Sequence, residues 1–414
     1  MQYPSKERIA CVEILLAVLS GKKLDRLIES LPAEGIRKNQ IYNLCYGVAR
    51  HHHPLTKYIE SKARKAIGKR TAVILELSLF ELSYNTSSKP YAVVSEALKL
   101  MDHFKELSAK PFVNAVLGNF TRNVEQEKAL IAKLPLYTAD ITKEAELVFG
   151  KKAQEVLSRF MTPSPFFILI NEQKVTLTEL KNIFTQKGII VEEVDYSGVK
   201  ALSTFDSGIF KTKEFETGFF IIQDLSSQFA VTKLEPFKGM NMLDVCSAPG
   251  GKAIRAAILS KDDAKITAID KSSARLLRMH ENINRLGLNS IEVLNQDLDS
   301  FGAASDHYDR VFIDPPCSAL GVLARNPDIA MREGKDHWKV LPTIQSNILL
   351  KGFDSLKKGG KLVYSVCTFR KAETSDVISK ALTERANMNK TFECLTVPNN
   401  VNMDGLYIAV LEKR

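Results

Sequence analysis

The sequence predicts a multidomain chain: an all-α bundle at the N-terminus, a small α/β linker domain, and a C-terminal α/β domain on a doubly wound, mostly parallel sheet. Three observations carry this expectation. Up to about residue 135, apolar residues recur at helical spacing between short breakers. From Asn241 onward, strand-like runs alternate with helical patterns. Where that alternation begins, LDVCSAPGGK at 243–252 reads as strand, tight glycine turn and helix start.

In chain order, helical patterns cover 9–19, 41–48, 73–82, 93–101 and 112–120, with breakers that include His53-Pro54 and Lys110-Pro111. The tract His51, His52, His53 reads as solvated histidines at a helix end, because the i, i+4 spacing of helical metal pairs is missing. Lys57, Lys62, Arg64, Lys65, Lys69 and Arg70 suit either phosphate contact or a solvated basic face. Residues 136–160 read as linking helices. The period then changes: 166–170, 188–192 and 218–222 read as strands and 177–187 as a helix. This segment could meet RNA, but its strands lack the aromatic stacking signature of an RRM. The C-terminal strands are expected at 242–245, 265–269, 291–294, 310–313, 360–365 and 406–411, with helices that include 273–286 and 344–356.

Composition narrows the classes. At 414 residues, 45% hydrophobic and 25% charged, the chain can bury several cores. No apolar run approaches the ~18 residues of a membrane span. The first residues, MQYPSKERIACVEILLAVL, read as an amphipathic helix rather than a signal peptide. The cysteines at 11, 45, 246, 317, 367 and 394 form no C-x-x-C pair. No metal site is expected, and reduced thiols in the cytoplasm are the default. Residues 1–150 hold 22 Lys+Arg against 16 Asp+Glu, and the remainder 35 against 32. A basic domain ahead of a near-neutral one fits a nucleic-acid partner, although a solvated surface gives a similar imbalance.

The chemistry-bearing positions gather at strand ends. Gly250 and Gly251 lack a Cβ, so backbone can approach a ligand closely, and the helix start offers unpaired N–H groups. The loop is neither G-x-G-x-x-G nor G-x-x-x-x-G-K-[ST], which weakens the dinucleotide and P-loop readings. Asp244, Asp270, Asp297 and Asp314 follow or close successive strands. Asp270 is near the distance at which an acid grips ribose hydroxyls, and Asp297 could meet an adenine amino group. Together with the glycine loop they point to a nucleoside cofactor. Cys317 follows one strand in DPPC, and Cys367 ends the next. Adjacent strand ends would bring both thiols near one cleft, which suggests nucleophile chemistry.

Two resemblances sharpen this. The stretches RKNQIYNLCYGVAR (37–50), AVVSEALKLMDHF (92–104) and FVNAVLGNFTR (112–122) resemble the RNA-binding helical domain of the antitermination factor NusB. The motifs CSAPGGK (246–252), DPPCSALGVLARNPDI (314–329) and VCT (366–368) resemble the RNA cytosine-C5 methyltransferases of the Sun/RsmB type. The resemblance implies a NusB-like RNA-binding domain over 1–135, linker helices and a small RNA-binding segment over 136–225, and a Rossmann-like class I methyltransferase domain over 226–414. It implies S-adenosylmethionine as cofactor, held by Cys246, Ser247, Ala248, Pro249, Gly250, Gly251, Lys252, Asp270, Asp297 and Asp314. Cys367 would be the nucleophile, Cys317 would assist release, and Asp314 would line the reactive centre. The implied partner is RNA, 16S ribosomal RNA first, and the implied protein is a monomer without a membrane. A transfer-RNA substrate and a non-catalytic RNA-binding assembly factor are the alternatives. Methylation of an exocyclic amine is disfavoured, since it needs an aromatic residue at 317. The chain departs from the family pattern at Pro315, usually Ala, at Val366, commonly Thr, and at Thr368-Phe369.

Overall fold

The computed structural model describes residues 4–32, 34–85, 88–332 and 335–414. The chain begins with helices α1 (Lys6–Leu19), α2 (Leu24–Glu29), α3 (Lys38–Lys62), α4 (Lys69–Tyr84), α5 (Pro90–His103), α6 (Lys110–Arg122), α7 (Val124–Ala132), α8 (Ala139–Phe149) and α9 (Ala153–Arg159). The five helices expected between residues 9 and 120 all form, and Pro111 opens α6, where its missing N–H costs nothing. Pro54 does not break the chain. It lies inside the 25-residue α3, at a local cost of about 3 kcal/mol. Burial outweighs that cost: Leu55, Tyr58 and Ile59 beyond the proline share one core with Ile41, Leu44 and Val48 before it.

The histidine tract is also corrected. It sits within α3 and is partly buried rather than solvated at an end. The His51 ring stacks on Tyr84 at 3.9 Å, and burial depresses its pKa to about 4, so it stays neutral near pH 7. His52 Nδ1 lies 2.9 Å from Glu76 Oε2.

A four-stranded antiparallel sheet follows, in the order β2-β3-β1-β4. It comprises β1 (Phe166–Ile170), β2 (Glu192–Tyr196), β3 (Val199–Thr204) and β4 (Phe220–Ile222), with α10 (Leu177–Gln186) and α11 (Lys213–Glu216). The strand expected at 188–192 is displaced. Its apolar run is not a buried strand, and Ile190 is 80% exposed. The extended chain instead starts at Glu192 and turns at Ser197-Gly198, both at positive φ, into a hairpin with β3.

After α12 (Leu225–Thr232) come β5 (Asn241–Val245), α13 (Gly251–Leu259), β6 (Lys265–Ile269), α14 (Ser273–Leu286), β7 (Ile291–Leu294), α15 (Leu298–Phe301), β8 (Tyr308–Ile313), α16 (Asp328–Met331), α17 (Leu341–Asp354), β9 (Leu356–Val366), α18 (Ser375–Glu384), β10 (Met388–Leu395) and β11 (Tyr407–Lys413). The seven-stranded sheet runs β10-β11-β9-β8-β5-β6-β7. Its five strands from β9 to β7 are parallel, and β11 and β10 close one edge antiparallel. β10 carries no strand signal in the sequence: MNKTFECL has no run of buried alternating residues, and only Met388 of the strand is buried.

Both faces of this sheet are covered. Leu243, Val245, Val311, Ile313 and Leu362 pack with Leu349 and Phe353 of α17. Met242, Phe312 and Val363, one residue out of phase, pack with Ile254 and Ala257 of α13, Phe229 of α12 and Phe167 of the small sheet. The chain divides into two compact units, residues 1–162 with 323–335, and residues 163–322 with 336–414. In the first, the inserted segment is held by the helices: Met331 joins the helical core. Leu24 N donates to Asp328 Oδ2 at 3.4 Å, and Arg50 Nη2 donates to Ala324 O at 2.6 Å.

Candidate active site

The parallel strands deliver their carboxyl ends to one edge, where ligands of doubly wound sheets bind. Val245 is in register with Ile269 and Ile313, and Ile313 with Tyr364. The residues that follow, from Cys246, Asp270, Asp314 and Cys367 onward, therefore open on a common edge.

The first loop is tightly constrained. Cys246 has φ +59 and Gly250 φ +96, the latter capping α13. A Cβ on Gly250 would lie 2.6 Å from Met279 Cγ, and one on Gly251 3.1 Å from Gln223 Nε2. Ser247 N donates to Ile269 O at 3.0 Å, and Ser247 Oγ to Asp244 Oδ2 at 2.5 Å. Ala248 is buried and Pro249 exposed. Asp244 is fully buried, and burial raises its pKa to about 7, against the lowering effects of Ser247 and Lys252. Burial and neighbouring carboxylates push the Cys246 thiol up to about 12, so it is uncharged.

Asp270 is engaged on several sides. Its Oδ2 accepts from Ala248 N at 3.2 Å and Arg275 Nη1 at 3.3 Å, and its Oδ1 from Ser272 N at 2.8 Å. Asp297, which follows β7, is exposed and caps α15, with Oδ1 accepting from Ser300 N at 2.8 Å. Lys252 reaches Asp314, Nζ to Oδ2 at 2.6 Å. Burial alone would lower the Lys252 pKa, but the Asp314 and Asp244 charges outweigh it and raise it. This ion pair was not expected from the sequence, because spacing along the chain says nothing about contacts across adjacent strand ends.

The two cysteines meet. Cys317 Sγ and Cys367 Sγ are 3.2 Å apart. The hydrogen bond to Cys367, then burial and the nearby Glu373 and Asp314 charges, raise the Cys317 thiol well above its ordinary range. Behind them lies a polar cluster centred on Glu373. Glu373 Oε2 accepts from Ser318 N at 2.9 Å and Gln345 Nε2 at 3.0 Å, and its Oε1 accepts from Arg370 Nη1 at 2.9 Å. Gln345 Nε2 also donates to Pro316 O at 2.9 Å, and the Ser318 and Thr368 hydroxyls are 2.8 Å apart. No sequence signal identified Gln345, a polar residue in an otherwise ordinary amphipathic helix.

These residues suit a cationic nucleoside. Three acidic side chains, Asp244, Asp270 and Asp314, gather at a glycine loop in which a Cβ on Gly250 or Gly251 would press on Met279 or Gln223, and the buried Asp244 Oδ1 has no hydrogen-bond partner. Fold and edge together define the class, a Rossmann-like methyltransferase dependent on S-adenosylmethionine. Residues 231–412 match the family described as 16S rRNA methyltransferase RsmB/F, and residues 5–122 the NusB family. The two matches follow one another along the chain, the NusB-family match first and the methyltransferase match after it.

It is 29% identical over 379 residues to the probable ribosomal RNA small subunit methyltransferase B of Bacillus subtilis, covering 88% of this chain and 84% of that one. It is 28% identical over 430 residues to ribosomal RNA small subunit methyltransferase B of Klebsiella pneumoniae, covering 98% and 97%. The crystal structure of NSun6 from Pyrococcus horikoshii with SFG shares the fold, with a TM-score of 0.60 and 20% identity over 67% of this chain and 98% of that one.

Proposed function

We propose that the chain methylates C5 of a cytosine in 16S ribosomal RNA through a covalent bond from Cys367 to C6, with Cys317 assisting release. The observation that carries this reading is the 3.2 Å approach of the two thiols on the edge that holds Lys252 and Asp314. The RNA class follows from the names of the relatives above. The division into an RNA-binding helical domain (1–135), a linker and RNA-binding segment (136–225) and a catalytic domain (226–414) is part of the same proposal.

Cytosine C5 is a poor nucleophile until C6 is attacked. The Cys367 thiol gives up its proton, its sulfur adds to C6, and ring N3 takes up a proton, leaving C5 enamine-like. Covalent catalysis of this kind splits one hard step into easier ones. Asp314 accepts the new N3–H hydrogen bond, while the Lys252 ammonium holds its other oxygen. S-adenosylmethionine supplies the methyl group as a sulfonium electrophile. The C5 proton then leaves, the C6–sulfur bond breaks, N3 returns its proton, and the net reaction releases one proton. Cys317 beside the departing sulfur assists that elimination. The target base must be unstacked to reach the thiols.

The test is transfer of labelled methyl to 16S ribosomal RNA by wild type, Cys367→Ala and Cys317→Ala. Wild type is expected to methylate C5, Cys367→Ala to transfer nothing, and Cys317→Ala to accumulate a denaturant-resistant protein–RNA adduct. Methylation that survives Cys367→Ala would end the covalent mechanism. Transfer to transfer RNA alone would reassign the substrate.

A further inference from the structure

We propose that Gln345 and Glu373 are positioning residues that hold the Cys317 loop against the Cys367 loop. This inference rests on the two-cysteine reading above.

Gln345 and Glu373 are both 0% exposed. A carboxylate taken out of water costs several kcal/mol unless hydrogen-bonded and paired. Here it is satisfied by donors from three separate segments. Ser318 N belongs to the loop after β8, Arg370 to the loop after β9, and Gln345 to α17. The same Gln345 amide donates to Pro316 O. Cys317 therefore lies between two residues, Pro316 and Ser318, that are each tied to this cluster through their backbones.

The Cys367 side is tied as well. Thr368 Oγ1 meets Ser318 Oγ and accepts from Arg370 N at 3.2 Å, and Tyr364 OH donates to Glu373 O at 2.8 Å. Arg370 also lies over the Trp338 ring, 4.7 Å from its centroid. None of these groups other than the flanking loops carries a thiol or lies on the glycine loop. Their common effect is to fix the separation and approach of two sulfurs that must act in sequence on one base. Proximity of this kind is steep in its effect: a ~1 Å misplacement can cost on the order of a hundredfold in rate.

The test compares Gln345→Leu, which removes both amide donors at similar volume, with wild type and Cys317→Ala. Folding and S-adenosylmethionine affinity are measured alongside. The expected result is kcat lowered at least tenfold, KM for RNA within about twofold, and a denaturant-resistant RNA adduct that accumulates although both cysteines are present. A slower release step predicts that adduct, and a loosened fold does not. Should Gln345→Leu fail to fold, Glu373→Gln, of the same shape, is expected to trap the adduct too.

Unchanged kcat, or lowered kcat without adduct while Cys317→Ala does trap it, overturns the positioning role alone. Absence of adduct in Cys317→Ala overturns the two-cysteine reading beneath it.

Discussion

Asp244 shows how a single residue links stability to the site. Its carboxyl is held near pKa 7 by burial, against 3.8 when unperturbed. The folded state binds this proton more tightly than the unfolded state. Its contribution is therefore complete below pH 3.8 and lost as pH rises through about 7. The difference amounts to on the order of 4 kcal/mol. Asp244→Asn keeps the shape and removes the titration. In urea unfolding between pH 4 and 8, the wild-type methyltransferase domain is expected to lose several kcal/mol more than the variant. Equal slopes would show that Asp244 is charged at neutral pH. The sequence placed Asp244 at a strand end, but not its protonation. That depends on the burial and on Ser247 and Lys252 arriving from the following loop and helix.

At the scale of elements, the loop after β8, the end of β9 and the approach to β11 are locked by Gly321. Its N donates to Cys367 O at 2.9 Å, and its O accepts from Gly405 N at 2.7 Å. A Cβ there would lie 1.9 Å from Gly405 O and 3.1 Å from the Cys367 carbonyl carbon. Gly321→Ala must move backbone, at a cost of about 3 kcal/mol. Thermal unfolding and steady-state kinetics are expected to show a lower Tm and a kcat reduced by at least tenfold. A variant as stable and active as wild type would mean that the loops slide freely.

The elements that were legible in the sequence are those with a strong local period. The parallel strands β5, β6 and β8 are largely buried apolar runs and α14 is amphipathic, so these declared themselves. The failures have separate causes. Pro54 continues a helix because burial of the residues beyond it overrides local propensity, whereas 188–191 stays out of the sheet with Ile190 80% exposed. β10 is an edge strand with little apolar surface to betray it.

Over the whole molecule, one segment follows tertiary packing against chain order. Residues 323–335 belong to the helical unit, although they fall between β8 and β9 in sequence. Met331 is 4% exposed there, and Asp328 binds Leu24 N. Burying a methionine stabilises by ~1.5–3 kcal/mol. A 1–162 fragment is therefore expected to unfold at a lower temperature than the same helices in the intact chain, and a 323–335 peptide added in trans to raise it. A fragment indifferent to the peptide would show that the segment adds nothing to the helical core.

Sequence alone determined the fold class, the succession along the chain of the strands that carry the glycine loop, the acids and the cysteines, and the residue types available for catalysis. All of these are local properties: period, turn chemistry and motif. Only the tertiary structure decided which of those residues meet. It joined Lys252 to Asp314, closed the two thiols expected in one cleft to 3.2 Å, gave Asp297 a capping bond on α15, and buried Gln345 and Glu373 behind the thiols. Those outcomes are set by strand order and by the desolvation of charged groups, which exist only once distant segments are packed together.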